Sequence, residues 1–80
     1  MRQELNDNEM ESVVGGTVVL NTSRMRIGFT VLGKAFNVVN CSDDDARDLV
    51  NQLYKTYKNA GDKKLEEETL AAFQSRGWLG

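Results

Sequence analysis

The chain has 80 residues, enough for one small domain at most, and a domain of this size buries only ~60% of its unfolded surface. It contains no His, no Pro and one Cys, so imidazole acid–base chemistry and the commonest metal ligand are both missing. With no volume for a deep cleft, the chain is not expected to be an enzyme, and no metal or cofactor is expected.

Its charge is uneven. Residues 1–16 set Arg2 against Glu4, Asp7, Glu9 and Glu11, whereas the remaining nine basic and eight acidic residues nearly cancel. A near-neutral remainder argues against a nucleic-acid partner. No stretch approaches the ~20 apolar residues of a membrane span. No basic segment followed by an apolar run of ~7–15 residues marks a Sec-type signal.

The first element predicted is a helix over residues 3–14. Leu5, Met10 and Val13 fall within an arc of about 140° at ~100° per residue, with Glu9 inside it. So thin an apolar stripe does not hold an isolated helix of ~12 residues in water, and the helix is expected to be flexible until gripped. Gly15 and Gly16 end it, since Gly suits the left-handed stop.

Beyond the glycines the pattern changes to strand. Thr17-Val18-Val19-Leu20 is β-branched and apolar, and Asn21-Thr22-Ser23 reads as a turn. Met25, Ile27, Phe29 and Val31 then alternate with Arg26, Gly28 and Thr30. Leu32-Gly33-Lys34 is a second turn and Ala35–Val39 a third strand. One apolar face of such a meander needs a cover.

Two helices supply it. Ser42 is a good N-cap, and Asp43, Asp44 and Asp45 fill a first turn where the helix dipole favours anions. Ala46, Leu49, Val50, Leu53, Tyr54 and Tyr57 form the apolar stripe, and Gly61 is the stop. Asp62 is expected to cap a second helix carrying Leu65, Leu70 and Phe73 inward, ended by Gly77. The expected fold is α+β: a flexible N-terminal leader helix, then a small antiparallel sheet of two or three strands covered by two helices.

Individual residues have ordinary readings. Cys41 is expected as a small buried hydrophobe, with an intermolecular disulfide as the alternative. Consecutive Asp residues on a helix point ~100° apart and do not converge on one cation. Lys55, Lys58, Lys63 and Lys64 cluster with Tyr54 and Tyr57 around the inter-helix turn, as helix-terminal lysines do. Trp78 and Leu79 are expected to fold back onto the sheet, with an exposed target contact as the alternative.

The N-terminal segment resembles the double-glycine leader of bacteriocin-type and related precursor peptides. That pattern places a Leu, an adjacent acidic and hydrophobic pair, a further aliphatic residue and Gly-Gly at fixed spacing. Here the roles fall on Leu5, Glu9, Met10, Val13, Gly15 and Gly16; Asn6 replaces the usual small polar residue after the Leu. The resemblance covers a fifth of the chain. It implies recognition by the papain-like cysteine peptidase domain of a peptidase-containing ABC transporter. Cleavage would fall between Gly16 and Thr17, and the remainder would be exported.

Leu5, Met10 and Val13 would then anchor the leader in a hydrophobic groove, and two residues without Cβ would enter a narrow cleavage tunnel. Residues 1–16 are thus read as leader and 17–80 as cargo, made in the cytoplasm and secreted after leader removal. The resemblance implies a bacteriocin-like or signalling product; the near-neutral α+β cargo adds nothing to that. The alternative is a cytosolic interaction module whose N-terminal helix belongs to the fold.

Overall fold

The computed structural model describes residues 11–14 and 16–80, with the backbone alone for residues 11–13. Four strands precede two helices: β1 Glu11–Val14, β2 Val18–Asn21, β3 Arg26–Phe29, β4 Lys34–Asn37, α1 Asp43–Tyr57 and α2 Asp62–Ser75. The strands form one antiparallel sheet in sequence order. Strands β2 to β4 are the expected meander, so the chain is α+β with two helices on one face of the sheet.

The core follows from strand alternation meeting helical periodicity. Val18 and Leu20 of β2 and Ile27 and Phe29 of β3 point inward and are buried. Ala46, Leu49 and Val50 of α1 and Leu65 and Phe73 of α2 meet them in a single cluster. Phe36 of β4 packs at its margin, its ring 6.2 Å from that of Phe29 at 59°. The other sheet face carries Val19, Gly28 and Ala35 in one cross-strand row, and among the described residues no helix covers it.

The expected helix over 3–14 does not extend through its last turn: Glu11–Val14 is a strand, paired with β2 in the register Glu11↔Asn21 to Val14↔Val18. The helical stripe was thin, whereas Val13 and Val14 are β-branched and lie one tight turn from the complementary run Val18–Leu20. Pairing satisfies backbone groups that a marginal helix leaves to water, and Val14 packs against the core. Residues 1–10, including the rest of the expected helix, lie outside the described residues.

Two further differences share one cause. Strand β3 ends at Phe29, so Val31 is not an inward strand residue but lies 54% exposed in the turn to β4. The turn needs Gly33 at φ 69°, with the Gly33 amide bonded to the Phe29 carbonyl at 2.8 Å. At the other end Met25 takes φ 50° and lies before the strand, its carbonyl accepting from the Val38 amide at 2.7 Å.

Helix α1 starts as its sequence dictates: the Asp45 amide donates to the Ser42 hydroxyl at 3.1 Å. Helix α2 does not use Asp62 as its cap. Gly61 occupies that position at φ 102°, which a residue with a Cβ resists, and Asp62 acts from within the first turn on the helix dipole. The lysine cluster is in part an α1–α2 contact. Lys64 pairs with Glu68 at 2.8 Å and lies 6.0 Å from the Tyr57 ring.

The C-terminal tail packs as expected. Gly77 takes φ 74° and ends α2, with the Gly77 amide on the Gln74 carbonyl and the Trp78 amide on the Phe73 carbonyl, both at 3.0 Å. This brings the Trp78 ring edge-on to Phe73 at 5.8 Å. Leu79 then bridges Val38, the Val39 amide donating to the Trp78 carbonyl at 2.7 Å. Asn40, at φ 64°, donates to the Gly77 carbonyl at 2.8 Å and ties the α1 approach to the same corner.

Replacing Gly77 with Ala is expected to cost about 1–2 kcal/mol, because a Cβ disfavours the left-handed region. Urea titration followed by Trp78 fluorescence measures it, and an unchanged midpoint would contradict the role given to this stop.

Candidate functional site

Of the residues singled out by the sequence, Val13, Gly16 and Thr17 are described, and they lie at the junction between β1 and β2. Val13 lies in β1 at the register position across from Val19, so it does not share a helical face with the positions before it. Leu5, Glu9, Met10 and Gly15 lie outside the described residues. Gly16 and Thr17 sit in the turn, which closes with the Thr17 amide on the Val14 carbonyl at 3.1 Å.

The two sides of the Gly16–Thr17 bond differ sharply. Gly16 is exposed, at φ 73°, and a Cβ built on it meets nothing within 4 Å. Thr17 is 1% exposed. Its carbonyl accepts from the Thr30 amide at 3.1 Å, and its hydroxyl lies 2.8 Å from that of Thr30. The Thr30 hydroxyl in turn lies 3.3 Å from a Glu66 oxygen. The Thr30 hydroxyl has one proton and two acceptors in reach, the Thr17 carbonyl at 3.2 Å and the Glu66 oxygen at 3.3 Å, so it joins Thr17 and Glu66 in one polar group.

Glu66 anchors this chain of bonds. It is fully buried on α2, and its two oxygens accept from the Val31 and Leu32 amides at 2.8 Å each. One side chain thereby satisfies the β3–β4 turn and steadies the first residue of the body. Neither Thr30 nor Glu66 was a candidate from the sequence, where Glu66-Glu67-Glu68 reads as charge near a helix start. The signal was present in the spacing: Glu66, Thr69 and Phe73 recur at three and four, placing Glu66 on the buried stripe.

Cys41 is half-buried, a free thiol packed against the core. Burial, with the Asp45 carboxylate adding to it, pushes its pKa above the ordinary thiol value. Asp44 of the aspartate run pairs with Arg47 at 3.3 Å, and among the described residues no group of three metal-ligating side chains converges. A shallow depression of about 260 Å³ on the outer sheet face is floored by Val19, Gly28 and Ala35 and bordered by Arg26. Among the described residues no helix is long and apolar enough to cross a membrane. Compared with known proteins, the chain matches no family model, no curated protein and no solved structure.

Two expectations follow. Alkylation of Cys41 by iodoacetamide at neutral pH should be slower than that of an unstructured Cys peptide, because a raised pKa leaves less thiolate at a given pH. The rate should keep rising with pH beyond the peptide's plateau; matching profiles would remove the burial effect. Glu66→Ala should lower stability by about 2–3 kcal/mol, since the turn amides lose a charged acceptor. The urea midpoint measures this, and a loss under ~0.5 kcal/mol would mean that water replaces the carboxylate at no cost.

Proposed function

We propose that the chain is the precursor of a small secreted protein, recognised through residues 1–16 and cut between Gly16 and Thr17 by a peptidase-containing ABC transporter. It acts as substrate and cargo, not as enzyme. The supporting observation is where the body begins. Among the residues with described burial, every buried hydrophobic lies at Val18 or beyond, and Thr17 is buried and hydrogen-bonded, while Gly16 stands in solvent. This change from an exposed to a buried residue falls at the same bond as the cleavage position that the leader resemblance implies.

Cleavage by this route requires β1 to leave β2, because a cysteine peptidase of this type binds an extended strand and the leader is gripped along its length. The energetics permit it. Ordering a residue costs about 1–2 kcal/mol, against about 1 kcal/mol net per backbone hydrogen bond, so a four-residue edge strand is held by no more than a few kcal/mol. A side chain at position 16 would meet no neighbour, but the φ of 73° there disfavours any residue with a Cβ, so the turn and the peptidase both favour glycine.

A second reading has one observation in its favour. The pairing of β1 with β2 suits a cytosolic interaction module that keeps its N-terminal segment.

Incubation with a peptidase domain of this transporter type separates the two. The first reading expects a product whose mass begins at Thr17, no cutting of Gly16→Val, and weaker cutting of Leu5→Ala or Met10→Ala. Ser12→Val, which puts an apolar residue opposite Leu20, should tighten β1 and slow cutting severalfold. An intact wild-type chain under conditions that cut a control leader would refute the first reading and leave the second.

A further inference from the structure

Strand β2 is an edge in waiting, and its sequence carries none of the devices that keep edges from pairing. Val18-Val19-Leu20-Asn21 has no charge, no Pro and no bulge, and β1 covers its free side. The opposite edge of the sheet is guarded. Strand β4 begins at Lys34, and the tail lies beside its end through the Val39–Trp78 bond and a bond from the Gly80 amide to the Asn37 carbonyl at 2.9 Å. Strand β1, as the present edge, begins with Glu11.

We propose that β1 masks a self-association edge, and that removing it pairs β2 with β2 of a second copy in an antiparallel, two-fold arrangement. This rests on the leader reading, which supplies the event that removes β1. The occupant follows from the register. In an antiparallel pair, residues directly opposite share a sheet face, so only registers that match inward with inward positions keep the core closed. A two-fold axis at Val19 meets that condition: Val19 faces Val19, and Val18 faces Leu20 in both directions.

Strand β1 now sets Ser12 opposite Leu20 and Val14 opposite Val18. A second β2 would set Val opposite Leu20 and Leu opposite Val18, a more apolar match on the inward face. The two bodies would share one six-stranded sheet with all four helices on the same side, continuing the pairing that β1 now makes. An unrelated partner's strand has no such built-in match.

The test uses the full chain and needs no cutting, so it stands or falls apart from the processing assay. In a variant with Ser12→Pro and Val13→Pro, one of two consecutive prolines must fall on an amide that faces β2, whatever the ladder phase. Sedimentation velocity over a dilution series should give one chain's mass for the wild type and two chains' mass for the variant. Adding Val19→Lys, on the half-exposed outer face, should return the variant to a monomer by setting like charges opposite each other across the axis. Mixing that protein with its Val19→Glu counterpart should restore a dimer.

A monomeric proline variant with native circular dichroism overturns the proposal. So does association that ignores the charge at position 19, which would place the contact elsewhere. If the prolines unfold the body, Val14→Asp loosens β1 at its core contact and carries the same charge test, with the same outcomes deciding.

Discussion

The carboxylate of Glu66 is the interaction on which the rest of the molecule depends. A small core of aliphatic and aromatic residues holds helices against a sheet without fixing where the sheet ends. Glu66 fixes it. By accepting two amides of the β3–β4 turn, it bends the chain back after Phe29 and sets the phase in which β4 meets β3. Its oxygen also lies 3.3 Å from the Thr30 hydroxyl, which meets Thr17 at both its hydroxyl and its carbonyl. An ion with no solvent exposure is tolerable because every strong bond it makes comes from an obligatory donor that the turn would otherwise leave unpaired.

That arrangement separates the chain into parts with different holds. From Thr17 onward each element is secured from more than one direction: β2 and β3 by core side chains, α1 by its cap, α2 by its stop and by Trp78, the tail by backbone bonds to β4. Among the described residues strand β1 is paired on one side, with β2, and its Val14 packs partly against the core. The sequence expresses the same asymmetry. Acidic residues concentrate before the glycines, and the β-branched run begins directly after them.

The elements easiest to read in the sequence were those specified locally. Ser42 capped α1 because its hydroxyl reaches the third amide on, and Gly77 stopped α2 because the left-handed region favours it. The inward alternation of Ile27 and Phe29 was legible for the same reason. What failed needed partners distant in sequence. Residues 11–14 had weak propensity for either state, and a strand across the turn decided between them. Val31 continued a perfect alternation, but Glu66, 35 residues on, captured its amide. Of the candidate site, Gly16 and Thr17 were legible as a boundary, while Thr30 and Glu66 were not, because a hydrogen-bonded glutamate looks in sequence like any helix surface charge.

If the chain is the peptidase substrate proposed above, the hold on β1 bears on how strongly the peptidase would bind it. A leader gripped along residues 5–13 must be free of β2, so the affinity observed for the full chain is the intrinsic affinity scaled by the fraction of molecules with β1 undocked. If docking is favoured by about 2 kcal/mol, that fraction is roughly one in thirty and the loss is about thirtyfold. If β1 were as well buried as β2, opening would cost several kcal/mol and recognition would fall by orders of magnitude. A half-buried Val14 and a Ser opposite Leu20 keep β1 in the first regime. An edge strand meant to stay would carry apolar residues at both inward positions; one meant to be removed has reason to carry a polar residue at one of them.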